Sequence, residues 1–332
     1  MKTFNVTVAV IGSGPAGLAA ACAAKENGAE KVLIIERDRY SGGILQQCIH
    51  AGFGLNYFDE ELTGPEYAER FREKAETLGI EWMFNVTALE IRDRTLICCS
   101  EDGIIHINYG ALILAMGCME RTRGNLAIPG TRPAGIYTAG TAQRLVNIKG
   151  LHIGNEIVIL GSGDIGMIMA RRMSLEGAHV KCAIEVQPQL SGLMRNKVQC
   201  LDDFGIPLML SHTVTSINGR DRVESVTVAP VNKNFEPNMA KAVTISCDTV
   251  LISTGLIPEN ELTRAAGISI LKETGGPSVN EFYQTDNPSV FACGNVLHVT
   301  GLVDDVTVES EKAGRYASLY AKGMPLGGGE HI

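Results

Sequence analysis

The sequence predicts an α/β fold in which one strand–turn–helix–strand unit occurs twice. Three observations carry that prediction. A β-forming run, Val6 to Ile11, breaks at Gly12-Ser13-Gly14-Pro15-Ala16-Gly17 and continues as an alanine-rich, helix-forming run. The same order returns from Asn155, with glycines at Gly161, Gly163 and Gly166. In each copy an acid, Glu36 or Glu185, stands 24 residues after the first glycine, at the end of the next β-rich run. The chain has 332 residues. A single hydrophobic core usually stops growing at about 250–300 residues, so two domains, or one domain interrupted by another, are expected.

The elements follow in order. Gly12 permits a tight turn after the first strand. Gly14 lets the backbone approach a pyrophosphate, and Gly17 lets helix and strand pack closely. The helix N-terminus offers N–H groups to phosphates. A second strand, Lys31 to Ile35, ends at Glu36, where a carboxylate can hold a ribose diol. Val6 to Ala24 could instead be read as a signal peptide behind Met1 and Lys2, but its central glycines and Pro15 break the helix such a segment needs. Thr63-Gly-Pro-Glu66 is a capping box opening an amphipathic helix with Tyr67, Phe71, Ala75 and Leu78 on one face and Gly79 closing it. Each glycine unit has a later apolar partner strand, Gly110 to Gly117 and Asp248 to Gly255, uncharged between its ends as a strand buried on both faces should be. Asn218-Gly219 is expected to turn a hairpin. The alternative, that the glycines merely serve turns, leaves the repeated acids unexplained. Both units then read as Rossmann-like and imply two nucleotides, a flavin dinucleotide held permanently and a nicotinamide dinucleotide that comes and goes.

Composition narrows the partners. The net charge is −8, and a net acidic chain lacks the electrostatic footprint of a nucleic-acid binder. No transmembrane segment is visible. The nine cysteines have no framework or zinc spacing, which fits reduced thiols in a cytoplasm and no metal site.

These residues resemble the flavoproteins with two dinucleotide-binding domains, the thioredoxin-reductase and glutathione-reductase group. The resemblance covers nearly the whole chain. It implies an FAD-binding domain of residues 1–118 and 248–332, interrupted by an NAD-binding domain of residues 119–247. For FAD it implies Gly12, Gly14, Pro15, Ala16, Gly17, Glu36, Arg37, Gly43, Gln47, Val86, Ala115, Met116, Gly117, Gly294, Asn295, Val303 and Asp304. For NAD it implies Gly161, Gly163, Asp164, Ile165, Gly166, Glu185 and Gly255. Asn295 stands where the family has an aspartate after glycine. Glu185 favours NAD, because a carboxylate binds the 2′-hydroxyl and repels a 2′-phosphate. Arg171 and Arg172 lie earlier, on the helix, and read as surface charges. A helix starting near Asp304 or Asp305, capped by them, would point its positive end at the flavin.

The family's disulfide reductases carry a dithiol. Here Ala139 and Ala142 occupy one of its two positions, and only Cys48 follows Gly42-Gly43 at the other, so disulfide reduction is disfavoured. A closer resemblance is to subunits that pass electrons to or from partner dehydrogenases, including those of anaerobic glycerol-3-phosphate dehydrogenase homologues, opine oxidase, dye-linked proline dehydrogenase and cyanide-forming glycine oxidation. It rests on GGILQQCIHAGFGL, EELTGPEYAERF, RTRGNLAIPGTRPAGIYTAGTAQ, LGSGDIGMIMARRMSLEG and CGNVLHV. It implies hydride exchange between NADH and FAD and a partner dehydrogenase subunit. No iron–sulfur centre is expected, because the tail holds Gly327 to Gly329 and no cysteine cluster. The oligomeric state stays open, a homo-oligomer included.

Cys48, His50 and His298 are the candidates for chemistry. Cys48 and His50 would share a face on a strand; the plainer reading packs Gln46 to His50 beside the flavin ring. His298 would approach the flavin or serve structure. Cys98 and Cys99 read as packing residues. Two rival functions remain: a stand-alone NADH-dependent flavin reductase, and a non-catalytic subunit that holds FAD.

Overall fold

The computed structural model describes residues 2–327. Gly328 and Gly329 of the expected tail lie outside them. The chain divides into two units. One takes the chain up to Met119 and again from Ile257, and the other is Glu120–Leu256.

The first unit opens with β1 (Lys2–Ile11), α1 (Pro15–Glu26) and β2 (Val32–Ile35). A 3-10 turn, Gly43–Gln47, precedes the short β3 (Ala51–Phe53) and β4 (Leu62–Thr63). Then come α2 (Gly64–Thr77), β5 (Glu81–Met83), β6 (Thr87–Arg92), β7 (Thr95–Ser100) and β8 (Gly103–Leu114). The expected capping box of α2 is present, and Tyr67, Phe71 and Ala75 are buried. The main sheet has the order β5-β2-β1-β8-β7-β6. β1 pairs in parallel with β2 and β8. β8 is long enough to carry β7 along its first half and the later segment Val290–Ala292 along its second.

β9 (Cys118–Glu120) leads into the second unit. There β10 (Ile136–Thr138), α3 (Ala139–Asn147), β11 (Glu156–Leu160), α4 (Asp164–Leu175), β12 (His179–Glu185), α5 (Met194–Cys200) and β13 (Leu208–Leu210) follow. β14 (His212–Gly219), β15 (Val223–Pro230) and β16 (Val243–Ser246) form an antiparallel sheet, and β17 (Thr249–Ile252) returns to the parallel one. The parallel order is β10-β17-β11-β12-β13. The hairpin between β14 and β15 is where the sequence places it, but its turn is not. Asn218 and Gly219 still pair with Ser225 and Val223 across a register shift, so residues 220–222 make the bend.

β18 (Leu256–Pro258) leads back to α6 (Glu261–Ala265), β19 (Val290–Ala292) and α7 (Val303–Ala321). α1 is small and apolar because it is enclosed, and Ala16 to Ala24 are all buried. Gly314 of α7 lies so close that a methyl group there would sit 2.1 Å from the Ala20 carbonyl oxygen. The apolar partner strands are buried as expected at Ala111 to Leu114 and at Thr249 to Ile252. Among the described residues no helix is long and apolar enough to cross a membrane.

Candidate functional site

Each unit carries the same small construction. In the first, Glu36 Oε2 accepts hydrogen bonds from the Ser13 N–H at 2.9 Å and the Ser13 hydroxyl at 2.6 Å. Glu36 Oε1 accepts from the Asp38 N–H at 2.8 Å, and the Ser13 carbonyl accepts from the Gly42 N–H. In the second, Glu185 Oε2 accepts from the Ser162 N–H at 3.0 Å and its hydroxyl at 2.6 Å. Glu185 Oε1 accepts from the Gln187 N–H at 2.9 Å, and the Ser162 carbonyl accepts from the Gly192 N–H. The acid at the end of the second strand thus clasps the glycine turn at the end of the first. Each Oε1 keeps an acceptor position for a ligand hydroxyl. Sequence reasoning found the acids and missed Ser13 and Ser162. The signal was the serine between the first two glycines in both copies.

The glycines divide into two kinds. A methyl group on Gly17 would lie 1.8 Å from the Gly12 carbonyl oxygen, so Gly17 serves packing. A methyl on Gly14 would meet nothing within 4 Å, although Gly14 caps α1. Gly163 caps α4 with equal freedom, its nearest neighbours being Ser253 atoms at 3.8 Å. Open space beside a helix N-terminus, walled by a glycine, is what a pyrophosphate requires. The residues therefore fit the two dinucleotides.

Several of the remaining expected FAD residues lie beside the first turn or the strand ends next to it. Gly43 packs on Gly14, Ala115 takes its N–H to Ile11, and Val86 takes its own to the Glu36 carbonyl. Gly294 abuts Ala16, and the Asn295 amide donates to Cys118 Sγ at 3.5 Å, next to Gly117. Gln47 is buried, Met116 and Val303 are half-buried, and Arg37 is exposed. In the second unit the Asp164 carboxylate accepts from the Leu193 N–H and the Asn196 amide, tying down the loop beside the turn. Ile165 is half-buried, and Gly255 is exposed at φ +105° beside Arg121. Arg172 pairs with Glu176 on the surface of α4. A cleft of about 320 Å³ lies at the carboxyl ends of β10 and β17, lined by Arg123, Arg132, Tyr137, Thr138, Thr141 and Ile252 among others.

Two expectations meet a different arrangement. Asp304 and Asp305 do not cap α7, whose N-cap is Leu302. The buried Asp304 carboxylate instead accepts from the Gly54 and Asn56 N–H groups, and Asp305 is exposed. Cys48 and His50 do not share a strand face, since neither lies on a strand. Cys48 is buried against Gly64 at the start of α2, and burial pushes its thiol up to about 12, so it is a poor nucleophile at neutral pH. The His50 ring lies tilted against that of Phe53, with centroids 5.0 Å apart. His298 faces Glu309, a residue the sequence did not single out. None of the nine cysteines forms a disulfide. Ala139 and Ala142 are fully buried, and the Glu120 carboxylate occupies the α3 N-terminus, accepting from the Gly140 and Thr141 N–H groups.

Burial alone would raise the Glu185 carboxyl, but the hydrogen bonds from Ser162, Gln187 and Ser191 outweigh it and hold it below the ordinary range. The folded protein is then stabilised fully above the unfolded-state value, and that stabilisation is lost as pH falls through the folded one. Glu185→Gln places an amide N–H₂ against groups that already donate. We expect it to cost about 2–4 kcal/mol at neutral pH and to flatten the acid side of the stability profile. Urea unfolding across pH checks this, and an unchanged profile would refute it.

Two units, each with its own clasped glycine turn, define a protein of the class that binds one dinucleotide in each of two α/β units. Comparison with known proteins agrees. The chain belongs to the pyridine nucleotide-disulphide oxidoreductase family, whose sequence profile matches residues 6–314. It is similar to the hydrogen cyanide synthase subunit HcnB of Pseudomonas protegens, 27% identical, with 90% of this chain and 67% of that one aligned. It is also similar to the glutamate synthase [NADPH] small chain of Escherichia coli, 28% identical over 94% of this chain and 68% of that one. The chain thus spans about two thirds of these relatives. In fold it resembles thioredoxin reductase of T. acidophilum, with a TM-score of 0.75 at 22% identity, covering 96% of this chain and 99% of that one. The family depends on FAD and NAD(P)H, and this chain is an oxidoreductase with those cofactors.

Proposed function

We propose that this chain is an FAD-containing oxidoreductase that transfers hydride between NAD(H) and FAD and exchanges electrons with a partner dehydrogenase subunit. The observation that carries it is the duplicated clasp, Ser13–Glu36 in the unit that takes FAD and Ser162–Glu185 in the unit that takes NAD. When bound, the flavin supplies the hydride chemistry, and no side chain need act as acid or base in that step. The chain's own residues bind and orient. The first turns of α1 and α4 receive the pyrophosphates, and Glu36 and Glu185 receive ribose hydroxyls. An ionised Glu185 repels a 2′-phosphate, which supports NAD over NADP. The cleft at β10 and β17 is in the same sheet as the Gly161 turn and gives room for the nicotinamide end. The buried alanines at 139 and 142 support a reading without disulfide reduction. The partner is supported by the names of two relatives, one a subunit and one a small chain. A glycerol-3-phosphate type of partner rests on the sequence resemblance.

Anaerobic titration of the purified chain tests this reading. One equivalent of NADH per flavin is expected to bleach the visible absorption, with NADPH much less effective. Bleaching followed by sustained turnover with oxygen alone would favour the stand-alone reductase. No bleaching by either nucleotide would sink the hydride pathway and leave the flavin-holding subunit.

A further inference from the structure

Glu309, in the second turn of α7, reaches into the turn that follows β19. One carboxylate oxygen accepts the Gly294 N–H at 2.8 Å, and the other faces His298 Nε2 at 3.3 Å. The Glu309 side chain is 15% exposed and that of His298 43%, so a half-buried carboxylate has a more exposed imidazole as its neighbour. The turn is held on its far side too. Gly294 sits at φ +71°, and a methyl group there would lie 2.6 Å from Ala16 Cβ, on the first turn of α1. Asn295 follows it, donating to Cys118 and accepting from the Thr300 N–H. The other charged or titratable groups facing Glu309 are Lys312 on its own helix, Cys293 at the end of β19 and Tyr283 in the loop before β19. Burial pushes the Cys293 thiol up to about 12 and raises the Tyr283 phenol, so both keep their protons at neutral pH.

We propose that Glu309, paired with His298, makes the hold of the Gly294–Asn295 turn depend on pH. Glu309 is the positioning residue, and His298 is the neighbour that bears on its charge. The effect on flavin rests on the function proposed above; the pair itself does not. Burial drives the Glu309 carboxyl above its usual range, opposed by the Gly294 N–H, His298 and Lys312. It therefore takes up a proton nearer neutrality than an exposed glutamate does. Protonation removes the charge from the Gly294 hydrogen bond, and a neutral bond is about half as strong as a charge-assisted one. The turn then loosens on the acid side.

The test uses the whole chain labelled with ¹⁵N-glycine, following the Gly294 amide from mildly alkaline to mildly acidic pH, with released flavin read by fluorescence in the same samples. The amide is expected to shift through one transition, with flavin loss rising through it. Glu309→Gln should abolish both pH dependences, and His298→Asn should displace the transition, which covers the case of a Gln variant that does not fold. An amide that ignores pH, or a transition that Glu309→Gln leaves in place, overturns the pair. An amide transition with pH-independent flavin release overturns the positioning role while leaving the proposed function standing. A chain that never binds flavin overturns the proposed function and the positioning role together, and the amide still decides the pair.

Discussion

Gly163→Ala is expected to leave the chain folded and yellow while removing most of its response to NADH. Gly163 sits at φ −66° and ψ 162°, which alanine adopts without strain. A methyl group there meets only Ser253 atoms at 3.8 Å, ordinary contact. The poorer helix cap costs about 1 kcal/mol of stability. The methyl does project into the open space before α4, where the dinucleotide pyrophosphate must approach. Loss of that approach is expected to raise the NADH concentration needed for half-reduction at least ~10-fold, about 1.4 kcal/mol of binding. Anaerobic stopped-flow reduction measures it. If reduction is as fast and as tight as in the parent chain, the Gly161–Gly166 turn is not the NADH contact. The counterpart in the first unit, Gly14→Ala, is expected to yield folded protein that has lost its flavin.

Gly17→Ala should fail in the opposite way. The same added methyl lies 1.8 Å from the Gly12 oxygen and 3.4 Å from Val10 Cγ1. Nothing there can move cheaply. The Gly12 N–H is bound to the Ile35 carbonyl at 2.8 Å, and β1 is flanked by β2 and β8. Accommodating the methyl means parting α1 from the sheet, in a helix buried along its length. Overpacking against backbone is expected to cost about 3 kcal/mol or more and to sharply lower the yield of folded protein. Urea unfolding of whatever is recovered measures it. A variant with the parent's midpoint would show that helix and strand do not pack as described. Gly14→Ala and Gly17→Ala are one chemical change three positions apart. Loss of ligand without loss of fold in the first, and loss of fold in the second, separates the binding glycine from the packing glycine.

Much of this was legible in the sequence because the relevant physics is local. A glycine turn, a cap and a run of apolar residues announce themselves within a few positions. The capping box at Thr63 and Glu66 is present as read, and so are both glycine turns, each with the carboxylate that ends the following strand. The hairpin turn was misplaced because Asn218-Gly219 has turn chemistry, yet strand pairing continues past it to Val223. Asp304 misled for a similar reason. An acid in the first turn of a helix usually faces that helix, but here loop amides at Gly54 and Asn56, about 250 residues earlier, claim it.

By itself, then, the sequence determined that two α/β units would each end a strand in a glycine turn answered by a carboxylate. Those features are set by backbone sterics and hydrophobic period over some thirty residues. Only the tertiary structure decided which groups the carboxylates hold. It showed Glu36 and Glu185 bound to Ser13 and Ser162, Cys48 packed away as an inert thiol, Glu120 over the α3 N-terminus, and Glu309 joining Gly294 to His298. A hydrogen bond depends on where folding brings two groups in space, and residues this far apart in the chain carry no local sign of that meeting.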